Sequence, residues 1–162
     1  MRQLRLSTLF FIISFSPLSL SFAQEMSAPD FAITNDQLPD KLSALAGQVV
    51  YLDFWASWCK PCRKSFPWMN RMQQKYAGQG LQIIAINLDT EEALVKAFLD
   101  KVPANIAIIH DPAGKIASDY QLLGMPSSYL IDKKGTIRFA HKGFFTRTEA
   151  SYEQELVLLL NE

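Results

Sequence analysis

Cysteine is nearly absent from this 162-residue chain: there are two, Cys59 and Cys62, three positions apart. Histidine is as scarce, and His110 and His141 stand at no ligand-like spacing, so a zinc site has no donor set. Charge of one sign is missing too. The 16 Lys and Arg balance the 16 Asp and Glu, no basic cluster stands out, and Lys133-Lys134 reads as a turn. That balance excludes the basic footprint of a nucleic-acid or anionic-membrane binder. Internal repeats, low-complexity tracts and a break in composition are lacking, so the length fits one domain with a real core. No apolar run is long enough to span a bilayer cleanly; the best, residues 6–20, is short and carries Pro17.

That run has another reading. Arg2 and Arg5 form a basic head, residues 6–20 an apolar middle, and Ser21-Phe22-Ala23 a small-x-small cleavage site. Residues 1–23 are therefore expected to be a signal peptide cleaved after Ala23, with the domain in residues 24–162. No cysteine lies near the cut, which excludes a lipid anchor there. The leader takes two arginines and no acid, so the remainder has 14 bases against 16 acids, a charge of −2. Export places the protein in an oxidising compartment, the periplasm, where two cysteines could be a plain staple. A staple across two intervening residues constrains the unfolded chain little. The proline between the cysteines and the aromatics before them fit a redox pair better.

Residues 24–40 are polar and turn-rich, with a short strand expected at 31–33. Residues 42–45 read as a helical turn. Residues 49–54 form a buried central strand of β-branched and aromatic residues. A helix follows to about Tyr76, with Pro61 in its first turn and Pro67 as an internal kink. Residues 81–88 are a second buried strand. Residues 91–101 are an amphipathic helix with Leu94, Val95, Phe98 and Leu99 on one face. A short strand at 106–109 and a short helix at 115–120 lead to Gly124-Met125-Pro126. Residues 127–131 and 136–140 are strands joined by the turn 132–135. The last helix starts near Thr146, where Thr146-x-x-Glu149 has the form of a capping box, and buries Tyr152, Leu156, Leu159 and Leu160. The early strand–helix–strand units imply parallel strands, and the closing hairpin adds an antiparallel pair. The fold class is α/β, a mixed central sheet flanked by helices on both faces.

Trp58-Cys59-Lys60-Pro61-Cys62 sits where the first buried strand hands over to a helix. If Cys59 opens that helix, the unpaired backbone N–H groups and the positive end of the dipole favour its thiolate. Cys62, one turn on, is placed to resolve a mixed disulfide. Lys60 adds positive charge or is merely solvated. Trp58 fits the rim of an apolar docking surface, whereas Trp55 and Trp68 read as packing and Met69 and Met72 as core filling. Asp53 is an acid in an apolar strand: either it is salt-bridged or facing a loop, or it is a general base for the Cys62 proton, its pKa raised by desolvation.

The run Asp53-Phe54-Trp55-Ala56-Ser57-Trp58-Cys59-x-Pro61-Cys62, with Gly124-Met125-Pro126-Ser127-Ser128 downstream, resembles the active-site strand and cis-proline loop of thioredoxins. Cys62-Arg63-x-x-x-Pro67 and Tyr129-Leu130-Ile131-Asp132-x-x-Gly135 are similar to the TlpA/ResA-like branch of exported thiol–disulfide oxidoreductases. The resemblance implies a thioredoxin-like fold and a protein-disulfide reductase whose cofactor is none beyond a redox-active Cys59–Cys62 disulfide. It implies a cis Pro126 that exposes the Met125 backbone to an extended client, with Trp58 and Pro61 beside it. The implied partners are exported clients carrying disulfides or thiols and a membrane thiol electron donor; a monomer is expected. The branch often carries a glutamate at the position held here by Ser65, so Asp53 takes on the proton handling. The alternative is a non-catalytic binding or chaperone module with a locked disulfide.

Overall fold

Seven consecutive residues, Val49–Trp55, are all buried, the pattern of a strand covered on both faces. This strand is the second element in a computed structural model that describes residues 26–35 and 38–162. The expected leader at 1–23 and its cut after Ala23 lie outside the described residues. In chain order the elements are β1 Met26–Ser27, β2 Val49–Trp55, α1 Cys62–Tyr76, β3 Leu81–Asn87, α2 Glu92–Leu99, β4 Ala107–His110, α3 Lys115–Asp119, β5 Ser127–Ile131, β6 Thr136–Lys142 and α4 Glu149–Leu160. A 3₁₀ turn at Leu42–Leu45 precedes β2 and another at Thr146–Thr148 precedes α4.

The strands form one sheet in the order β1-β6-β5-β2-β3-β4. β2, β3 and β4 run parallel; β5 is antiparallel to β2, and β6 to β5. Alternation along β2 assigns the two faces. Val49, Tyr51 and Trp55 enter a cluster with Phe66 and Trp68 of α1, Phe98 of α2 and Leu156 of α4. Val50, Leu52 and Phe54 enter a second cluster with Leu42, Leu45, Ala117 and Tyr120. The fold is the expected thioredoxin-like one, a mixed sheet with helices on both faces.

Four local expectations are corrected. Residues 31–33 form no strand: only Ala32 bridges to Lys41, and the sheet edge is closed instead by Met26 and Ser27 against Ile137 and Thr136. Leu94 is 42% exposed, because the short α2 buries only Val95 and Phe98 fully. No capping box forms at Thr146. Its hydroxyl caps nothing, and Glu149 begins α4 with its carboxylate on Arg71, 2.8 Å away. The fourth correction concerns Cys59.

Candidate active site

β2 ends at Trp55, and the chain turns before α1 begins. The Cys59 N–H donates to the Ala56 carbonyl (3.0 Å) and the Cys62 N–H to the Cys59 carbonyl (3.2 Å). Cys59 therefore sits in the turn ahead of the helix, and Cys62 is the first helical residue. The reason is Pro61, whose ring-fixed φ of −63° suits the residue at a helix start. The two cysteines are joined in a disulfide with Cα atoms 5.4 Å apart. The N-terminus of α1 has no side-chain cap and no acid in its first turn, while Lys60, Arg63 and Lys64 beside it are exposed. Its dipole therefore meets the sulfurs without a competing carboxylate. Where the related glutamate was expected to be missing, Ser65 is fully buried and its hydroxyl donates to the Cys62 carbonyl (2.9 Å).

Asp53 lies on the sheet face that Tyr51 and Trp55 share with both cysteines. It is 2% exposed, and among the described residues its Oδ2 has no hydrogen-bond partner. Burial alone holds its carboxyl well above the usual carboxylate range. Among the described residues it has no ion-pair partner, and it lies within the strand rather than in a loop. Its neighbours across the sheet are Ala85 of β3 and Ser128 of β5.

The pairing of Phe54 with Ser127 sets the start of β5 beside the end of β2. The Met125–Pro126 peptide just before it is cis, and Met125 packs against the cluster that holds Cys59 and Cys62. The Pro126 carbonyl accepts from the Gly143 N–H (2.7 Å), tying this loop to the end of β6. Trp58 is 68% exposed. Two further exposed apolar residues, Leu123 and Phe145, occupy loops at this same end of the sheet. Both escaped the sequence reading.

So did a polar brace under the cysteine turn. Asp89 accepts from the Ser57 N–H (2.8 Å), the Ser57 hydroxyl (2.9 Å) and the Asn87 side-chain amide (2.8 Å). Its own N–H donates to Asn87 Oδ1 (2.9 Å), and its carbonyl lies 2.6 Å from His110 Nε2. Asn87 and Asp89 are both buried. Their signal was an asparagine that ends a largely apolar strand and an aspartate two residues beyond it. Among the described residues no group of three or more His, Cys, Asp or Glu side chains is arranged to hold a metal ion.

Residues 25–140 match the AhpC/TSA family. Thioredoxin-like protein YneN of Bacillus subtilis (strain 168) is 33% identical over 147 residues, covering 88% of this chain and 85% of YneN. Thiol-disulfide oxidoreductase ResA of Bacillus thuringiensis subsp. konkukian is 35% identical over 123 residues, 75% of this chain and 71% of ResA. Among solved structures, a Chlorobium tepidum protein described as a candidate thiol:disulfide interchange protein DsbE superposes with a TM-score of 0.79. It is 46% identical, and the match covers 84% of this chain and 96% of that one. A cysteine pair at the end of a central strand, a cis-proline loop beside it and relatives of this kind lead to one conclusion: the chain belongs to the AhpC/TSA family, as a thioredoxin-like thiol–disulfide oxidoreductase of the ResA and DsbE type.

Proposed function

We propose that this oxidoreductase is exported to the periplasm and works there as a protein-disulfide reductase, with Cys59 as nucleophile, Cys62 as resolving thiol and Asp53 as base. The observation that carries the reading is the buried Asp53 carboxyl, whose Oδ2 has no hydrogen-bond partner among the described residues, on the face that holds the cysteine pair. An unpaired buried acid is costly, and a fold retains one where its proton affinity is used.

In the reduced protein the Cys59 thiolate attacks a client disulfide, forming a mixed disulfide and releasing one client thiolate. Cys62 then gives its proton to Asp53 and attacks the Cys59 sulfur. The Cys59–Cys62 disulfide forms, the second client thiolate leaves, and two electrons have passed to the client. Trp58 and Pro61 contact the client on one side. Cis-Pro126 leaves the Met125 backbone to pair with it on the other. A membrane thiol donor returns the two electrons, and residues 1–23 direct export and are removed after Ala23.

An insulin-reduction assay on residues 24–162 with dithiothreitol as reductant tests this. The wild-type pair is expected to accelerate turnover, Cys59→Ser to abolish it, and Cys62→Ser to accumulate a mixed disulfide through Cys59. No acceleration, with a disulfide that excess glutathione leaves intact, would put the binding or chaperone module in its place.

A further inference from the structure

Three strands place one polar residue each in a line behind the cysteines. Asp53 of β2 pairs with Ser128 of β5, and Ser128 pairs with His141 of β6. Directly paired residues on neighbouring strands share a face. At ordinary strand spacing the line runs about 10 Å from Asp53 to His141. The Tyr51 hydroxyl donates to Ser128 Oγ (2.8 Å), and the same oxygen lies 3.4 Å from His141 Nδ1. On the other side of the ring, His141 Nε2 lies 2.8 Å from Glu155 Oε2 of α4. That contact is a close approach rather than an aligned hydrogen bond, since Oε2 has no hydrogen-bond partner among the described residues. The Tyr152 ring packs on the imidazole with centroids 4.4 Å apart.

We propose that His141, held against Glu155, is a positioning residue whose charge acts across β5 on the protonation of Asp53 and thereby sets the pH at which Cys62 resolves the mixed disulfide. The proposal rests on the reading of Asp53 as the base for Cys62. The sheet face that carries Asp53 also carries Tyr51 on its own strand and Ser128 and His141 on the neighbouring strands, and against it pack Cys59 in the turn before α1, Cys62 at the start of α1, and Tyr152 and Glu155 from α4; the β3 partner of Asp53 is Ala85. The two ends of the line act on a common neighbour: burial pushes the Tyr51 hydroxyl well up, and the charges of Asp53 and Glu155 add to it. An imidazolium at 141 stabilises the Asp53 carboxylate; the Glu155 carboxylate opposes it. The two substitutions that remove these charges must therefore act with opposite sign.

The test is the pH dependence of the resolving step. Reduced residues 24–162 are mixed with saturating oxidised glutathione, and release of the second glutathione is followed by quenched flow at low salt. The rate should rise with pH along a limb that Asp53→Asn removes. His141→Gln should move the midpoint of that limb up and Glu155→Gln should move it down, each by about one pH unit for charges near 10 Å apart in a protein interior. In the Asp53→Asn background neither substitution should have any effect on the profile. Unmoved midpoints, or midpoints moved in the same direction, overturn the tuning while leaving Asp53 as base. A limb that survives Asp53→Asn overturns the Asp53 reading, and the tuning with it.

Discussion

At the scale of single residues, the buried Asp53 carboxyl ties stability to pH. Its folded carboxyl holds a proton that the unfolded chain releases above about pH 4. Between that pH and the raised folded value the unfolded state binds fewer protons, so stability falls as pH rises. Asparagine cannot ionise. Asp53→Asn is therefore expected to stabilise the oxidised protein at pH 7 by on the order of 2 kcal/mol and to change little at pH 3.5. Urea unfolding at the two pH values measures this; equal gains at both would show that the effect is not the carboxylate's charge. The cysteines differ at the same scale. Cys59 is 4% exposed and Cys62 fully buried, so iodoacetamide should label Cys59 first in the reduced protein. Peptide mapping of partially alkylated chains reads the order. Asp53 was legible in the sequence because an acid inside VVYLDFW contradicts its surroundings. His141 and Glu155 were not: each is unremarkable locally, and their meaning comes from strand register and from a helix that the sequence could not align against them.

At the scale of elements, the handover from β2 to α1 is held by β3. Ser57 and Asp89 are 32 residues apart, and no local pattern links them. Asp89→Ala leaves the Ser57 N–H and the Asn87 amide without their acceptor. The expected cost is on the order of 2–3 kcal/mol for buried unpaired groups. Faster hydrogen exchange at the Ser57 amide should accompany it, and protection equal to wild type would place the brace outside the turn's stability. The elements themselves were readable, because continuous apolar runs and prolines mark them. Beyond the absent strand at 31–33 and the exposed Leu94, what failed lay at their ends. Cys59 precedes the helix because Pro61 claims its start, and Glu149 prefers the Arg71 guanidinium to a capping box. Both outcomes depend on partners that local propensity does not contain.

At the scale of the whole molecule, the expected mature start is tested by mass spectrometry of protein recovered from the periplasm. A chain beginning at Gln24 is the expected result, and retention of residues 1–23 would make the apolar run an anchor. The sheet also gives the molecule two poles. The disulfide, cis-Pro126 and Trp58 gather where β2 ends and β5 begins. At the other pole, past the seven residues of β2, about 23 Å at the usual rise, lies the hairpin turn. There Met26 and Ser27 pair with Ile137 and Thr136, the Lys133 ammonium donates to the Leu160 carbonyl (2.8 Å), and Arg138 grips Glu162 (2.7 Å). Both ends of the described fold thus sit away from the chemistry. A protein immobilised on a sensor chip through a tag ahead of Met26 or after Glu162 will present its cysteines to the flow, and captured clients will meet the reactive pole rather than the support.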